Sequence, residues 1–365
     1  MAGNKKLRKA QKNKNDEFYT QLSVIEDELC HYKQHFKGKV VFCNCDDPYE
    51  SNFFKYFTMN FNSLGLKKLI ATGYVTSPII GTELNVWTGE ETDVKERTPY
   101  VAYINEVKDM NGDGRIDLED VKILLQKKRN CRRKLHGDAD YPAGDFRSEE
   151  SLKLLKQADI VVTNPPFSLF REYVHQLVDN NKKFIIMGNK NAITYGEFFP
   201  LLKDNKAWVG ATSLNGGRWM VMPKGMEIER SDKTKINNRG ETIMNVAGVC
   251  WFTNLDIKKR HEDLILYKHY NPKDYPTYDN YDAINVDKIS DIPCDYDGIM
   301  GVPITFFDKY NPKQFEVLGF WNNGVAGDFL GAKKIEIETS GKKIFWNGPS
   351  VNGKATYFRV LLKRR

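Results

Sequence analysis

The sequence predicts an α/β fold: a doubly wound, mostly parallel sheet followed by a mixed, strand-rich region. Three observations predict it. Short apolar runs, as in "GKVVFCNCDDP" and "KKLIATGYV", alternate with amphipathic stretches. Polar turns follow those runs, where α/β proteins place their reacting groups. From about Gly210 onward the pattern changes to aromatic-rich strands and turns. A chain of 365 residues outgrows a single core, so two domains, or one large α/β domain with a smaller appendage, are expected.

Taken in order, Leu22, Ile25, Leu29 and Phe36 fall at helical spacing, and a Gly break leads into the strand "VVFC". Pro48 then opens a helix over "PYESNFFKYFTMNF", since proline suits a first helical turn. "KKLIATGYV" reads as a second strand, and "YVAYINEV" as another, ahead of a helical "LEDVKILLQ". The long stretch "GDFRSEESLKLLKQADIVVTNPPFSLFREYVHQLVDNNKKFIIMGNKN" reads helix, buried strand, polar turn, helix, buried strand. Near the C-terminus, "KIEIETSGKKIFWNG" is two alternating runs around Ser-Gly, a hairpin signal.

Composition narrows the function. No apolar run approaches the roughly 20 residues that span a bilayer, and "MAGNKKLRKAQKNKNDE" has no apolar signal core, so a cytoplasmic protein with no membrane partner is expected. The six cysteines are scattered without a C-x-x-C, which suits a reducing compartment; Cys43 and Cys45 with His31 lack the closed ligand set of structural zinc, and no metal is assigned. The net charge of +7 sits at the ends. Residues 1–15 carry Lys5, Lys6, Arg8, Lys9, Lys12 and Lys14 with no acid, and Lys333–Arg365 holds nine basic residues against Glu336 and Glu338. Such runs are ordinarily solvated surface, and they are also what a polyanion would feel.

"ADIVVTNPPF" puts Asn164, Pro165, Pro166 and Phe167 at the end of a buried strand. The exocyclic amine of a base is a poor nucleophile because its lone pair is conjugated with the ring. A catalyst must accept both amine hydrogens and turn that lone pair toward an electrophile. The side-chain oxygen of Asn164 and the carbonyl of Pro165 suit the task, since a residue preceding proline is held extended. Phe167 offers a face on which a flipped base can stack. The electrophile required is a methyl sulfonium; no metal or covalent intermediate is needed. The plain alternative is a strand-ending Asn-Pro-Pro turn.

These residues, with "NDEFYTQ", "CNCDDPYESNFFKYF", "GDFRSEES", "VCWFTNL", "YDNYDAINVDKISDIPCDYDGIMGVPITFFDKYNP" and "NGKATYFRVLLKRR", resemble the EcoRI-type family of adenine-specific DNA methyltransferases from about Asn15 to the C-terminus. The resemblance implies a Rossmann-like, S-adenosylmethionine-dependent methyltransferase domain and N6-adenine methylation of duplex DNA, with Asn164, Pro165, Pro166 and Phe167 as the catalytic motif. It implies that "DEFYT" lies beside the methionine part of the cofactor through Phe18, Tyr19 and Thr20. It implies too that Asp145 accepts from the cofactor adenine's amine while Phe146 covers its ring. Asp145 could instead cap the helix that begins near Ser148. The first strand's turn departs from the general methyltransferase pattern because it has no glycine, so Asn44, Cys45, Asp46 and Asp47 are expected to make the cofactor contacts there. The motif order implies a basic flexible tail over 1–15, a catalytic domain over 16–255 and a target-recognition region over 256–365. A monomer is expected, with a cognate restriction endonuclease as an open partner. N4-cytosine or RNA-base methylation, and a catalytically silent methylase-like DNA-binding protein, stay open as alternatives.

One further stretch asks for an account. "DMNGDGRIDLED" sets Asp109, Asn111, Asp113, Asp117 and Asp120 at the ligand positions of a calcium loop, with Gly114 at the sharp turn. A strand candidate precedes it rather than an entering helix, and position twelve is the short Asp120. A structural loop is expected, in which Asp and Asn side chains hold the Gly112–Gly114 turn and cap the following helix.

Overall fold

A computed structural model describes residues 19–45, 51–73, 99–114, 116–117, 119–120, 123–124, 132–222, 234–237, 240–322, 331–339 and 341–365. The expectations for the basic tail, Phe18, Asp46, Asp47 and Pro48 lie outside the described residues, as does part of the helix read at "LEDVKILLQ". The chain forms two compact units, Met1–Lys190 with Gly210–Leu255, and Asn191–Val209 with Asp256–Arg365.

In the first unit the central strands are β1 (Val40–Cys43), β2 (Lys68–Thr72), β3 (Tyr100–Ile104), β4 (Arg132–Lys134), β5 (Ile160–Thr163), β6 (Lys183–Asn189) and β7 (Val249–Thr253). They lie side by side in the order β4-β3-β2-β1-β5-β6-β7. β1 runs parallel to both β2 and β5, and β5 runs parallel to β6. The flanks are antiparallel: β2 with β3, β3 with β4, β6 with β7. The expected mostly parallel sheet is therefore corrected to a mixed one. An apolar run reports that a strand is covered on both faces, as β1, β5 and β7 are; it is silent about direction.

The longer helices among the described residues of this unit are α1 (Leu22–Leu29), α2 (Asn52–Met59), α3 (Glu149–Gln157) and α4 (Phe170–Asp179). Ser51 caps α2, its hydroxyl accepting from the Phe53 and Phe54 amides. Ser148 caps α3, whose first turn carries Glu149 and Glu150 against the positive end of the helix dipole. α4 buries Phe170, Tyr173, Val174 and Leu177, one stripe at i, i+3, i+4 and i+7. Burial of each large side chain of this kind contributes about 1.5–3 kcal/mol.

α1 is tied to the segment before the small sheet by a buried carboxylate. Glu28 accepts from the Tyr32 hydroxyl at 2.6 Å, the Ala211 and Thr212 amides at 2.6 and 2.8 Å, and the Thr212 hydroxyl at 2.6 Å. Gly210 is required beside it, because a Cβ there would meet Glu28 Oε1 at 2.3 Å and Trp251 Cβ at 2.6 Å. The small antiparallel sheet that follows joins Arg218–Val221 to Tyr19–Thr20 on one side and to Thr242–Val246 on the other.

The 109–120 loop follows β3. Asp109 accepts from the Gly112 and Gly114 amides at 2.6 and 2.7 Å, Asn111 from the Asp113 amide at 3.0 Å, and Asp117 from the Glu119 amide at 2.7 Å. Buried Asp120 accepts from the amides of Asp117, Met110 and Asn111, which hold its carboxyl below the usual range.

The second unit is strand-rich. β8 (Ile284–Asn285) pairs parallel with β9 (Met300–Val302), and the C-terminal strand Arg359–Arg364 lies antiparallel between β9 and β10 (Phe315–Trp321). The Ser-Gly hairpin forms as read: β11 (Ile335–Thr339) pairs with β12 (Lys342–Trp346), Thr339 opposite Lys342, and Gly341 takes a φ of 71°. β13 (Ser350–Val351) and β14 (Lys354–Ala355) form a second small hairpin; the C-terminal strand Arg359–Arg364 is β15.

Candidate functional site

The order β2-β1-β5-β6 makes the chain leave β1 toward one side of the sheet and return on the other. That reversal falls between β1 and β5, and open α/β sheets bind ligands outside the carboxyl ends of the strands at such a switch point. Asn44 ends β1 and Asn164 ends β5.

The two ends are bound together. The Thr163 hydroxyl donates to the Asn44 carbonyl, and the Tyr173 hydroxyl from α4 donates to Asn44 Oδ1. All three side chains are buried. Burial first, and the neighbouring Cys45 next, push the Tyr173 hydroxyl well above its ordinary value, so it stays a neutral donor. The next residue, Cys45, takes a φ of 76°, the left-handed conformation that glycine ordinarily supplies at this turn. The turn thus has the glycine-like backbone without the glycine.

Phe146 packs edge-on against Tyr173 with ring centroids 4.9 Å apart, and Gln176 of α4 donates to the Phe146 carbonyl at 2.7 Å. Phe146, Tyr173, Asn44 and Thr163 therefore form one continuous chain of contacts that ends at Asn164. Asp145 is buried and gripped by Arg147, whose Nε and Nη2 donate to Oδ1 and Oδ2 at 3.0 and 2.8 Å. Hydrogen bonding to Asp145 raises the Arg147 guanidinium further above its ordinary value, and that guanidinium lies over the Tyr141 ring at 4.6 Å. The cap of α3 belongs to Ser148, not to Asp145.

Asn164, Pro166 and Phe167 are half-buried and Pro165 is buried; a short 3₁₀ turn over Phe167–Leu169 leads into α4. Thr20 reaches the same end of the sheet from the N-terminal side. Its hydroxyl lies 3.1 Å from Met187 Sδ on β6, one position beyond the residue paired with Thr163, and its carbonyl accepts from Asn52 at 2.8 Å. Tyr19 is in the same two-residue strand. A cavity of about 480 Å³ opens beside it, lined among others by Gln21, Glu26, Asn52, Lys235 and Glu241.

Of the residues singled out from sequence, Thr20, Asn44, Cys45, Phe146 and the Asn164–Phe167 segment come to one end of the sheet. Sequence reasoning missed Thr163, Tyr173 and Arg147. Tyr173 was visible as a polar-tipped residue on the apolar stripe of α4, a position where a buried tyrosine needs a partner. Elsewhere, exposed His269 Nδ1 lies 2.9 Å from Asp295 Oδ2, with Cys294 Sγ 3.7 Å away; this imidazole–carboxylate pair joins positions far apart in sequence.

The mixed α/β fold is of a kind that many enzymes share, and comparison with known proteins gives the class and its branch. The family model of the adenine-specific methyltransferase EcoRI matches residues 6–365, and the chain belongs to that family. It is 45% identical to the type II methyltransferase M.EcoRI of Escherichia coli, over 100% of this chain and 98% of the relative. It is 35% identical to the type II methyltransferase M.MgeORF184P of Mycoplasma genitalium, over 98% of each chain. Against the type II methyltransferase M.MpnI of Mycoplasma pneumoniae the identity is 34%, over 98% of this chain and 97% of the relative. No solved structure matches the chain.

Proposed function

We propose that this protein transfers a methyl group from S-adenosylmethionine to the N6 amine of an adenine flipped out of duplex DNA, within a Rossmann-like, doubly wound catalytic domain over residues 16–255 and a target-recognition region over 256–365. The observation that carries the reading is the position of Asn164 at the carboxyl end of β5, where the strand order reverses and where β5 is bonded to the end of β1 through Thr163 and Asn44.

The residues at these strand ends fit the cofactor by their chemistry. Asp145 is a carboxylate of the acceptor type an adenine amine needs, Phe146 offers an aromatic ring, and the left-handed turn at Cys45 suits close backbone approach. When bound, S-adenosylmethionine supplies the electrophilic methyl. Asp145, Phe146, Asn44 and Cys45 hold it, with Thr20 and Tyr19 from the N-terminal strand. Asp46, Asp47 and Phe18 are assigned to the same task by resemblance.

Asn164 Oδ1 and the Pro165 carbonyl accept the two amine hydrogens and so aim the nitrogen lone pair. Pro166 holds the Pro165 carbonyl in place, since the residue before a proline is restricted to extended backbone. Phe167 stacks on the extruded base, a contact worth roughly 1–3 kcal/mol. The experiment is to express the protein in a host lacking the modification and sequence the host DNA for modified bases. N6-methyladenine at one short recurrent site is the expected result, and unmodified DNA from a host making folded protein overturns the reading.

A further inference from the structure

The second unit carries an exposed tyrosine on an unusually well-anchored turn. Tyr357 is 87% exposed, between β14 and β15. Isolated apolar side chains on a surface need no explanation. The backbone beneath this one does.

Arg359, only 5% exposed, turns Nη1 back to the carbonyls of Tyr357 and Phe358 at 3.2 and 3.4 Å. Its Nε donates to Asn285 Oδ1 at 3.1 Å and its Nη2 to Asp287 Oδ1 at 2.8 Å, and the buried Tyr278 hydroxyl donates to that same Asn285 oxygen. The other side of the turn is fastened as firmly. The Thr356 amide donates to the Pro349 carbonyl at 2.8 Å, and Asp279 accepts from Ser350, Asn352 and Gly353. The stretch "YDNYDAINVDK" is thus a frame for the turn that presents Tyr357. A buried guanidinium is costly to desolvate, and here it fixes a surface loop.

The surroundings of Tyr357 state the chemistry of its partner. Lys342 and Lys354 are exposed on the two hairpins, and β14 packs beside β11. Phe345 is 72% exposed with the Lys334 ammonium 5.6 Å over its ring, and Phe358 is 43% exposed, its ring edge-on to Phe320. Exposed aromatics interleaved with lysines are complementary to bases and phosphates together. A rigid aromatic loses little entropy on docking.

We infer that Tyr357 is an aromatic wedge that stacks into the base stack of the bound DNA, with the neighbouring lysines on the phosphates; this rests on the reading of duplex DNA as substrate. The preorganised turn sets the depth of the ring. No hydrogen bond from its hydroxyl is required.

The test uses the full-length protein and two duplexes, one carrying the site found by modification sequencing and one lacking it. Binding is measured across a salt series for wild type and for Tyr357→Ala, Tyr357→Phe and Lys354→Ala. Tyr357→Ala weakens binding to the site by roughly 5- to 150-fold with the salt slope unchanged, because stacking releases no counterions. Tyr357→Phe restores binding, and Lys354→Ala lowers the slope. Wild-type affinity in Tyr357→Ala overturns the inference, and so does a phenylalanine that fails to restore. Failure of the wild type to bind or methylate either duplex overturns the DNA reading beneath it, a result distinct from both.

Discussion

The two units use their polar networks in opposite ways. In the first, Thr163, Asn44 and Tyr173 satisfy one another beneath a half-buried Asn164, so the polar frame and the proposed chemistry occupy one place. In the second, Arg359, Asn285, Asp287 and Asp279 lie under a turn whose tip is a fully presented aromatic ring. One frame encloses a small reacting group; the other pushes a large contact group outward. On the proposed function the difference follows from the partners: a single amine must be held away from water, whereas a duplex must be met at its surface.

The largest effect expected from breaking the first frame comes at its centre. Asn44→Ala strands the Tyr173 hydroxyl, and Tyr173→Phe strands Asn44 Oδ1, each at a cost of about 1–3 kcal/mol, read by denaturant unfolding. Tyr173 also sets an alkaline limit. Its folded pKa is raised, so its contribution is intact below the unfolded value of about 10 and is lost as pH climbs from there toward the folded value. Tyr173→Phe should therefore flatten the fall in stability above pH ~10. An unchanged alkaline profile would remove this hydroxyl from the frame.

Arg147 sharpens the same region. Arg147→Met leaves Asp145 buried without its fork, and cofactor affinity by calorimetry should drop roughly 10-fold, the lower end for losing a residue that orients a ligand-holding group. Tighter cofactor binding in the variant would mean that Arg147 occupies the carboxylate rather than orienting it.

Smaller effects belong to the second unit's charge. The structure revises which basic residues suit phosphate contacts: Lys343 pairs with Glu336 at 2.8 Å, Arg364 donates to the Cys294 carbonyl and Arg365 Nε to the Phe315 carbonyl. Neutralising the exposed Lys342, Lys354 and Lys363 together should weaken binding to every DNA sequence and lower the salt slope by about 0.9 for each phosphate that a lysine no longer neutralises. A slope equal to wild type would return them to plain solvated surface.

The smallest effect is expected from calcium. In the 109–120 loop the acids already accept backbone amides, so calcium should bind no tighter than ~10⁻⁴ M and a chelator should leave methylation unchanged. Asp120 works by its depressed pKa: its stabilisation is present above about pH 4 and is lost as pH falls through the lower folded value. Asp120→Asn should flatten the acid limb of the stability curve. Micromolar calcium binding by titration would overturn this account of the loop.

Legibility in the sequence followed physical range. β1, β2, β5 and β6 could be read because buried strands leave contiguous apolar runs, and the NPPF segment because proline fixes backbone locally. The hairpin of β11 and β12 was legible from its alternating runs around Ser-Gly. The antiparallel flanks were not, since direction is decided by connections rather than by composition. Nor were the Tyr173–Asn44 bond and the Arg359 frame, which join residues 129 and 74 positions apart. The left-handed Cys45 was hidden because a non-glycine residue stands where only backbone context demands positive φ.

In the proposed reaction Asn164 aims an adenine amine. Single-turnover transfer of labelled methyl from S-adenosylmethionine to the target duplex, measured for wild type and Asn164→Ala alongside cofactor binding, tests it directly. The expected result is a loss in rate of roughly 10²–10³ or more, as for removal of a preorganised group acting on the reacting atoms, with cofactor affinity unchanged. Transfer by Asn164→Ala at the wild-type rate would contradict it.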